Sequence, residues 1–200
     1  MKELLDTIVK NPQLHSKWIN TLSMMENTGA KKIKKCEHPV FVSEMILKHA
    51  AEEARHAYYL KKQIKKVLDN ECKTYERKNL LAPAQSSAYL QSLDISLCRY
   101  LRDEFNLEGA KLKYAAYLLV TYAIEVRADM LYPIYQEVLT KNGSKVNVKS
   151  IIAEEENHLK EMRSQIAEFF DGGEKVCAAS WDLENELFND WIQALTKEIS

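Results

Sequence analysis

The sequence predicts an all-α fold: a four-helix bundle with a long helical crossover and an additional C-terminal helix. Three observations predict it. Apolar residues recur at three- and four-residue steps over several long stretches, the mark of inward helix faces. Only five glycines and four prolines punctuate 200 residues that are 46% hydrophobic and 28% charged, which favours long helices over a turn-rich β architecture. The third is a duplication. Glu52-Glu53-Ala54-Arg55-His56 returns about a hundred residues later as Glu154-Glu155-Glu156-Asn157-His158, and each copy carries Glu-x-x-His. The length suits one domain over residues 1–200, with a core bundle over about 12–170, a crossover over about 70–108 and a terminal helix over about 174–199.

The first long helix opens at Asn11-Pro12, an N-cap followed by proline at the first helical position, and runs to about Lys35. Its stripe is Ile19, Leu22, Ala30 and Ile33, with Glu26 inside it. Gly29, one turn after that acid, either lets a neighbouring backbone come close or ends the helix early. His38-Pro39 makes the turn, and Ser43 caps a second helix through about Leu68 with Ile46, His49, Glu53, His56, Leu60, Ile64 and Val67 on its inward face. Ionisable groups on such a face are costly unless something compensates them.

From Asp69 to about Ser86 the periodicity fails and Pro83 intervenes, so a connection is expected. Ser87 to Phe105 is helical by Tyr89, Leu93, Leu97 and Leu101, which makes the segment long enough for a crossover between two helical pairs. A third long helix is expected from about Glu108 to Lys141, with Tyr114, Leu118, Tyr122, Glu125, Asp129, Tyr132 and Leu139 on one side and Pro133 kinking or breaking it. Asn142-Gly143 turns the chain. Asn147 then caps a fourth helix bearing Val148, Ile151, Glu155, His158, Met162, Ile166 and Phe169, which ends at Asp171-Gly172-Gly173. A fifth helix, about Glu174 to Ile199, shows Leu183, Leu187, Trp191, Leu195 and Ile199 at four-residue steps, suited to the outside of the bundle or to the second subunit of a homodimer.

Composition excludes several function classes. A net charge of -1 predicts no general attraction to nucleic acid or to an anionic membrane. No window approaches a membrane-spanning apolar run, and the N-terminus lacks the apolar core of a signal peptide. Cys36, Cys72, Cys98 and Cys177 lie far apart with no C-x-x-C pair, against a zinc knuckle or a thioredoxin-type motif, and reduced thiols of a cytoplasmic protein are the expectation. The lysine clusters 31–35 and 61–66 fall at helix C-termini, where cations complement the macrodipole; a docking face for an acidic reductase is the functional alternative.

Residues i and i+3 of a helix share a face, so Glu53 and His56 project together, and so do Glu155 and His158. Glu26 lies 27 residues before Glu53, with the loop near the midpoint, so antiparallel helices bring these two acids to one height. Glu125 lies 30 residues before Glu155 with the turn off centre, an offset of roughly one helical turn at ~1.5 Å per residue, for the loop to absorb. Asp129, one turn from Glu125, is the alternative third-helix ligand or a neighbouring hydrogen-bond partner. Four carboxylates and two imidazoles in one core repel and take up protons unless cations cancel them, and two divalent ions would do so. The donor set suits iron or manganese, including a mixed pair, with zinc also accommodated.

Glu, Glu-x-x-His, Glu, Glu-x-x-His on four long helices resembles the ferritin-like di-iron carboxylate superfamily over about residues 12–170. The resemblance implies two irons bridged by Glu53 and Glu155, each bound by one of His56 and His158, with Glu26 and Glu125 as terminal ligands. Glu52-Glu53-Ala54-Arg55-His56 is similar to the [Asp/Glu]-Glu-x-Arg-His motif of the oxygen-activating members, in which the acid before the bridging glutamate supports a histidine. Glu52 and Glu154 inherit that role by resemblance. The second copy has Asn157 in place of the arginine. Glu26-x-x-Gly29-Ala30 is similar to the first-ligand segment of demethoxyubiquinone hydroxylases. His49 reads as a hydrogen-bonded core or cavity residue, and Tyr59, Tyr117 and Tyr122 as candidate hydrogen-bond donors or electron relays beside the ligands.

The expected function is that of a non-haem di-iron oxidase or oxygenase, activating O₂ to oxidise a small organic substrate, with electrons from a reductase or from the substrate. Ferritin- or rubrerythrin-like iron oxidation or peroxide detoxification is the alternative within the superfamily. A metal-free helical interaction protein, its inward acids met by Arg55, Arg127 and Arg163, is the alternative outside it.

Overall fold

The computed structural model describes residues 1–38, 40–41 and 43–200, the side chains of residues 156 and 157 excepted. Among them every regular element is helical. The order is α1 (Lys2–Lys10), α2 (Pro12–Cys36), α3 (Glu44–Gln63), α4 (Pro83–Phe105), α5 (Gly109–Lys141), α6 (Lys149–Phe169) and α7 (Gly173–Ile199), with single 3₁₀ turns at Ile64–Lys66 and Arg77–Asn79. No helix among them is long and apolar enough to cross a membrane. The turn expected at His38-Pro39 falls partly outside the described residues.

Antiparallel α2 and α3 form one pair, and antiparallel α5 and α6 form the other. Asn11 starts α2 as its sequence predicts, its Oδ1 accepting from the Gln13 and Leu14 amides at 3.0 and 3.2 Å. Gly29 does not end the helix. α4 and α7 pack on each other and on α5, so the terminal helix covers its own chain.

Several elements differ from expectation. The N-terminal residues form α1, whose Leu4, Leu5 and Ile8 are buried and whose Lys2 reaches Glu137 of α5. The crossover helix starts at Pro83, not Ser87, because a proline at the first helical position lacks only an N–H that would have had no partner there. Pro133 does not break α5; it stands exposed on the solvent side, where the carbonyl it deprives can face water. Helix α6 begins without a side-chain cap. Asn147 is not its cap, since its side-chain and backbone oxygens accept from the Tyr59 hydroxyl at 2.9 and 3.1 Å. The connection between α5 and α6 doubles back along α5, the Val148 amide donating to Gln136 Oε1 at 2.8 Å. That return brings Glu155 level with Glu125.

The core is divided into two apolar halves. One gathers Trp18, Ile19, Leu60, Tyr135, Val148 and Trp191. The other gathers Ile33, Ile46, Leu97, Leu118, Met162 and Ile166. On each of α2, α3, α5 and α6 the residues between these halves are Glu26, Glu53 with His56, Glu125, and Glu155 with His158. A polar layer therefore crosses the waist of an otherwise apolar interior.

Candidate metal centre

Helical periodicity sets the polar layer. Each of the six residues sits on an inward stripe, one to two turns from fully buried apolar neighbours, and all but Glu26 are buried. Glu26, Glu53 and His56 offer one ligand atom each within 4.8 Å of one another, and Glu53, Glu125 and His158 do the same. Glu53 belongs to both groups. Glu155 also spans the two, with Oε1 at 3.2 Å from His56 Nδ1 and Oε2 at 3.4 Å from His158 Nδ1. Glu125 Oε1 stands 3.4 Å from the same His158 nitrogen. Gly29 faces the Glu53 carboxylate: a Cβ there would meet Glu53 Oε2 at 3.4 Å, an ordinary contact, so only a larger side chain would crowd it. The close neighbour is thus a carboxylate, not the backbone expected.

The two motifs brace each other. Glu154, from the second copy, takes a hydrogen bond from His56 Nε2 at 2.8 Å, and Glu52, from the first, takes one from His158 Nε2 at 2.7 Å. Arg55 ties the braces together, donating to Glu154 at 2.7 Å and lying 3.7 Å from Glu52. Fixing the Nε2 proton leaves each Nδ1 as the atom that faces the carboxylates. There, among the described residues, His56 Nδ1, His158 Nδ1 and Glu155 Oε2 are buried without a well-directed hydrogen bond, only the carboxylate contacts at 3.2–3.4 Å. Buried donors and acceptors are seldom left so.

Electrostatics act in the same direction. Burial, with the neighbouring charges of Glu26, Glu125 and Glu155, raises the Glu53 carboxyl well above the carboxylate range. Burial and Glu125 push Glu155 up to about 8. Burial works to lower His158, but Glu125 and Glu155 outweigh it and carry the ring to about 11. The protein alone thus gathers protons where negative charge is crowded, and a divalent cation would answer the same field.

Around the six, Tyr132 donates a short hydrogen bond to Glu26 Oε1. His49 is bonded at both nitrogens, to the Tyr117 hydroxyl at 2.9 Å and to Glu161 Oε2 at 3.0 Å, which makes it a hydrogen-bonded core residue. Lys48 fixes the outer end of that chain, 2.5 Å from Glu161. Two sequence candidates lie elsewhere. Asp129 is exposed, because the third-helix stripe drifts outward there, and Glu125 alone of the two joins the cluster. Tyr122 faces Cys177 and Arg163 across the other side of α5. Tyr132 and Glu161 were not singled out. Tyr132 lies two turns beyond Glu125 on its stripe, and Glu161 follows His158 at i+3, so spacing could have flagged both.

The arginines do not meet the inward acids. Arg55 serves the braces, and Arg163 lies over the Tyr122 ring. Arg127 binds Glu184 of α7 through Nε and a terminal nitrogen at 2.9 and 2.7 Å, while Tyr89 donates a short hydrogen bond to the same acid. This buried ion pair was also missed. Beside the cluster lies a cavity of about 380 Å³ between α2, α4 and α5, with Glu26, Glu53, Glu125, Tyr117 and Tyr132 in its wall.

No protein-family model, curated protein or solved structure matches the chain. The donor chemistry itself fits a metal pair: four carboxylates, two inward imidazole nitrogens with no other partner, and two glutamates placed to be shared.

Proposed function

We propose that the chain is an O₂-activating non-haem di-iron oxidase or oxygenase built as a ferritin-like four-helix bundle. The observation that carries the reading is the pair of orphaned Nδ1 atoms, on His56 and His158, each braced from behind by the other motif's acid and facing shared carboxylates. Glu26, Glu53, Glu155 and His56 would hold one ion; Glu125, Glu53, Glu155 and His158 would hold the other. When bound, such a pair supplies the two electrons and open positions that O₂ reduction and oxidation of an organic C–H or N–H bond require. For hydroxylation, one oxygen atom enters the C–H bond and the other leaves as water, taking two electrons from an external donor and two protons.

The protein's part is to position and to exclude. Glu53 and Glu155, each reaching toward both histidines, are the residues that would be shared between two bound ions. Glu52, Glu154 and Arg55 fix ring orientation, which keeps Nδ1 unprotonated and directed inward once a cation replaces the gathered protons. Tyr132 holds Glu26 through its hydroxyl, and the apolar half-cores above and below keep bulk water from the layer. Half-exposed Glu161 and buried His49 join the protein surface to Tyr117 in the cavity wall, a hydrogen-bonded route along which a proton can be delivered.

The deciding experiment is anaerobic Fe(II) titration followed by a pulse of O₂. Two irons per chain, a transient visible absorption band and turnover of a bound organic molecule are expected. Uptake of many irons per chain would instead establish iron storage, and no stoichiometric metal would establish a metal-free helical protein.

A further inference from the structure

The cavity beside the carboxylate layer is polarised along its length. Leu22 to Cys36 of α2 wall it for about 20 Å at ~1.5 Å per residue. On α5 Ala116, Val120, Ile124 and Ala128 line it at successive four-residue steps, an aliphatic strip beside Tyr117, Thr121 and Glu125 of the same helix. The inner end is closed by Leu22, Leu90, Leu131, Tyr89 and Trp191. Glu26, Glu53 and Glu125 occupy one side of the middle. At the outer end Lys32, Lys35 and Lys113 stand with one acid, Asp94.

Charge at that rim is unbalanced. Lys32 is engaged by Asp94 at 2.8 Å, whereas among the described residues neither Lys35 nor Lys113 has an ion-pair partner. Lys113, Lys32 and Asp94 all lie near enough to Cys36, the neighbour of Lys35, to act on its thiol, so these groups share one end of the cavity. The other cation in the cavity wall, Arg127, is not available to a ligand. It is committed to Glu184 and Asn185 and enclosed by the Trp181 and Phe188 rings. A negatively charged group therefore has one favourable end, and the carboxylate layer turns it away from the middle.

We propose that this site takes a single-chain aliphatic amphiphile with an anionic head, the head held at Lys35 and Lys113 and the chain passing Glu26, Glu53 and Glu125 toward Trp191. As a substrate assignment it rests on the di-iron reading. A volume of about 380 Å³ lies within the roughly 300–1,000 Å³ of small-molecule sites. Lys35 follows Glu26, the carboxylate-layer residue of α2, by nine residues, about 14 Å along the helix. The carbon presented for oxidation consequently lies well down the chain, and the head group is left unchanged.

The test is equilibrium binding of dodecanoate, dodecyl phosphate, dodecan-1-ol and dodecyltrimethylammonium to the intact chain, with bound metal quantified in the same samples. The anions should bind about tenfold tighter than the alcohol, and the cation should bind most weakly. Reversing both lysines, Lys35→Glu with Lys113→Glu, should drop dodecanoate below the alcohol and leave the alcohol unmoved. Ala128→Trp should block every chain, with Val120→Phe as a second block, while metal content holds. Equal binding of acid and alcohol, or indifference to lysine reversal, would overturn the head-group assignment. Chain binding that survives both blocks would overturn the cavity assignment. Preference between dodecanoate and dodecyl phosphate separates a carboxylate from a phosphate head. Since the metal arm reads the centre and the binding arm reads the cavity, either can fail without the other.

Discussion

At the scale of single residues, the bracing acids make the sharpest prediction. Glu52 and Glu154 orient rings and are placed to touch no cation, so Glu52→Ala or Glu154→Ala should leave the fold intact yet weaken divalent-metal affinity by about 10–100-fold. Competition of the protein against a chromophoric chelator for Zn(II) or Mn(II) measures it, and unchanged affinity would remove the braces from the site. A second prediction concerns His15, buried against the Tyr135 hydroxyl at 2.7 Å. Burial lowers its pKa from the usual 6.5 to about 4. The unfolded chain therefore binds the extra proton first, and stability falls as pH drops from 6.5 toward 4, by up to about 3 kcal/mol. His15→Gln should flatten that part of the curve in urea titrations run across the window. The inward carboxylates and imidazoles and their i, i+3 spacing were legible in the sequence. That each brace crosses to the opposite motif was not, because periodicity assigns a face but not the partner across it.

At the scale of elements, Gly29 illustrates how a helix accommodates its neighbour. An alanine there brings Cβ to 3.4 Å from Glu53 Oε2, an ordinary contact, and recovers the helical cost of glycine. Gly29→Ala should thus raise stability by about 0.5–1 kcal/mol, whereas Gly29→Leu should displace Glu53 and lower metal stoichiometry at unchanged helix content. Melting curves and metal analysis of the two variants separate space from propensity. The long helices were readable because their stripes repeat over many turns. Other elements were not. Helix α1 has nine residues with Leu4, Leu5 and Ile8 buried, too short a run to stand out, and it gains its stability by packing against α2 and α5. Pro83 reads equally as a loop residue or a helix opener, and only the neighbouring packing of Tyr89 and Leu90 decides.

At the scale of the whole molecule, the terminal helix is attached by a charge as well as by aromatic packing. Trp191 stacks on Trp18 and Tyr89, with ring centroids 5.7 and 5.6 Å away, and Arg127 meets Glu184 close by. Removing one partner of that pair strands the other in the core. Arg127→Met should cost about 3–5 kcal/mol in chemical denaturation, and adding Glu184→Leu should recover much of the loss. The pair escaped sequence reading because Glu184 sits off the four-residue ladder that first marks the helix. A further global effect follows from the carboxylate layer. Glu53 and Glu155 bind protons more tightly in the folded chain than in the unfolded one. Metal-free protein should therefore lose stability as pH rises from about 4.5 through about 8, and Mn(II) or Zn(II) should restore it. Thermal melts with and without the ion test the sign. The reciprocal props behind His56 and His158 carry one last consequence. Damage to either copy of the repeat is felt at both imidazoles, so neither half of the duplication is free to drift while its twin stays whole.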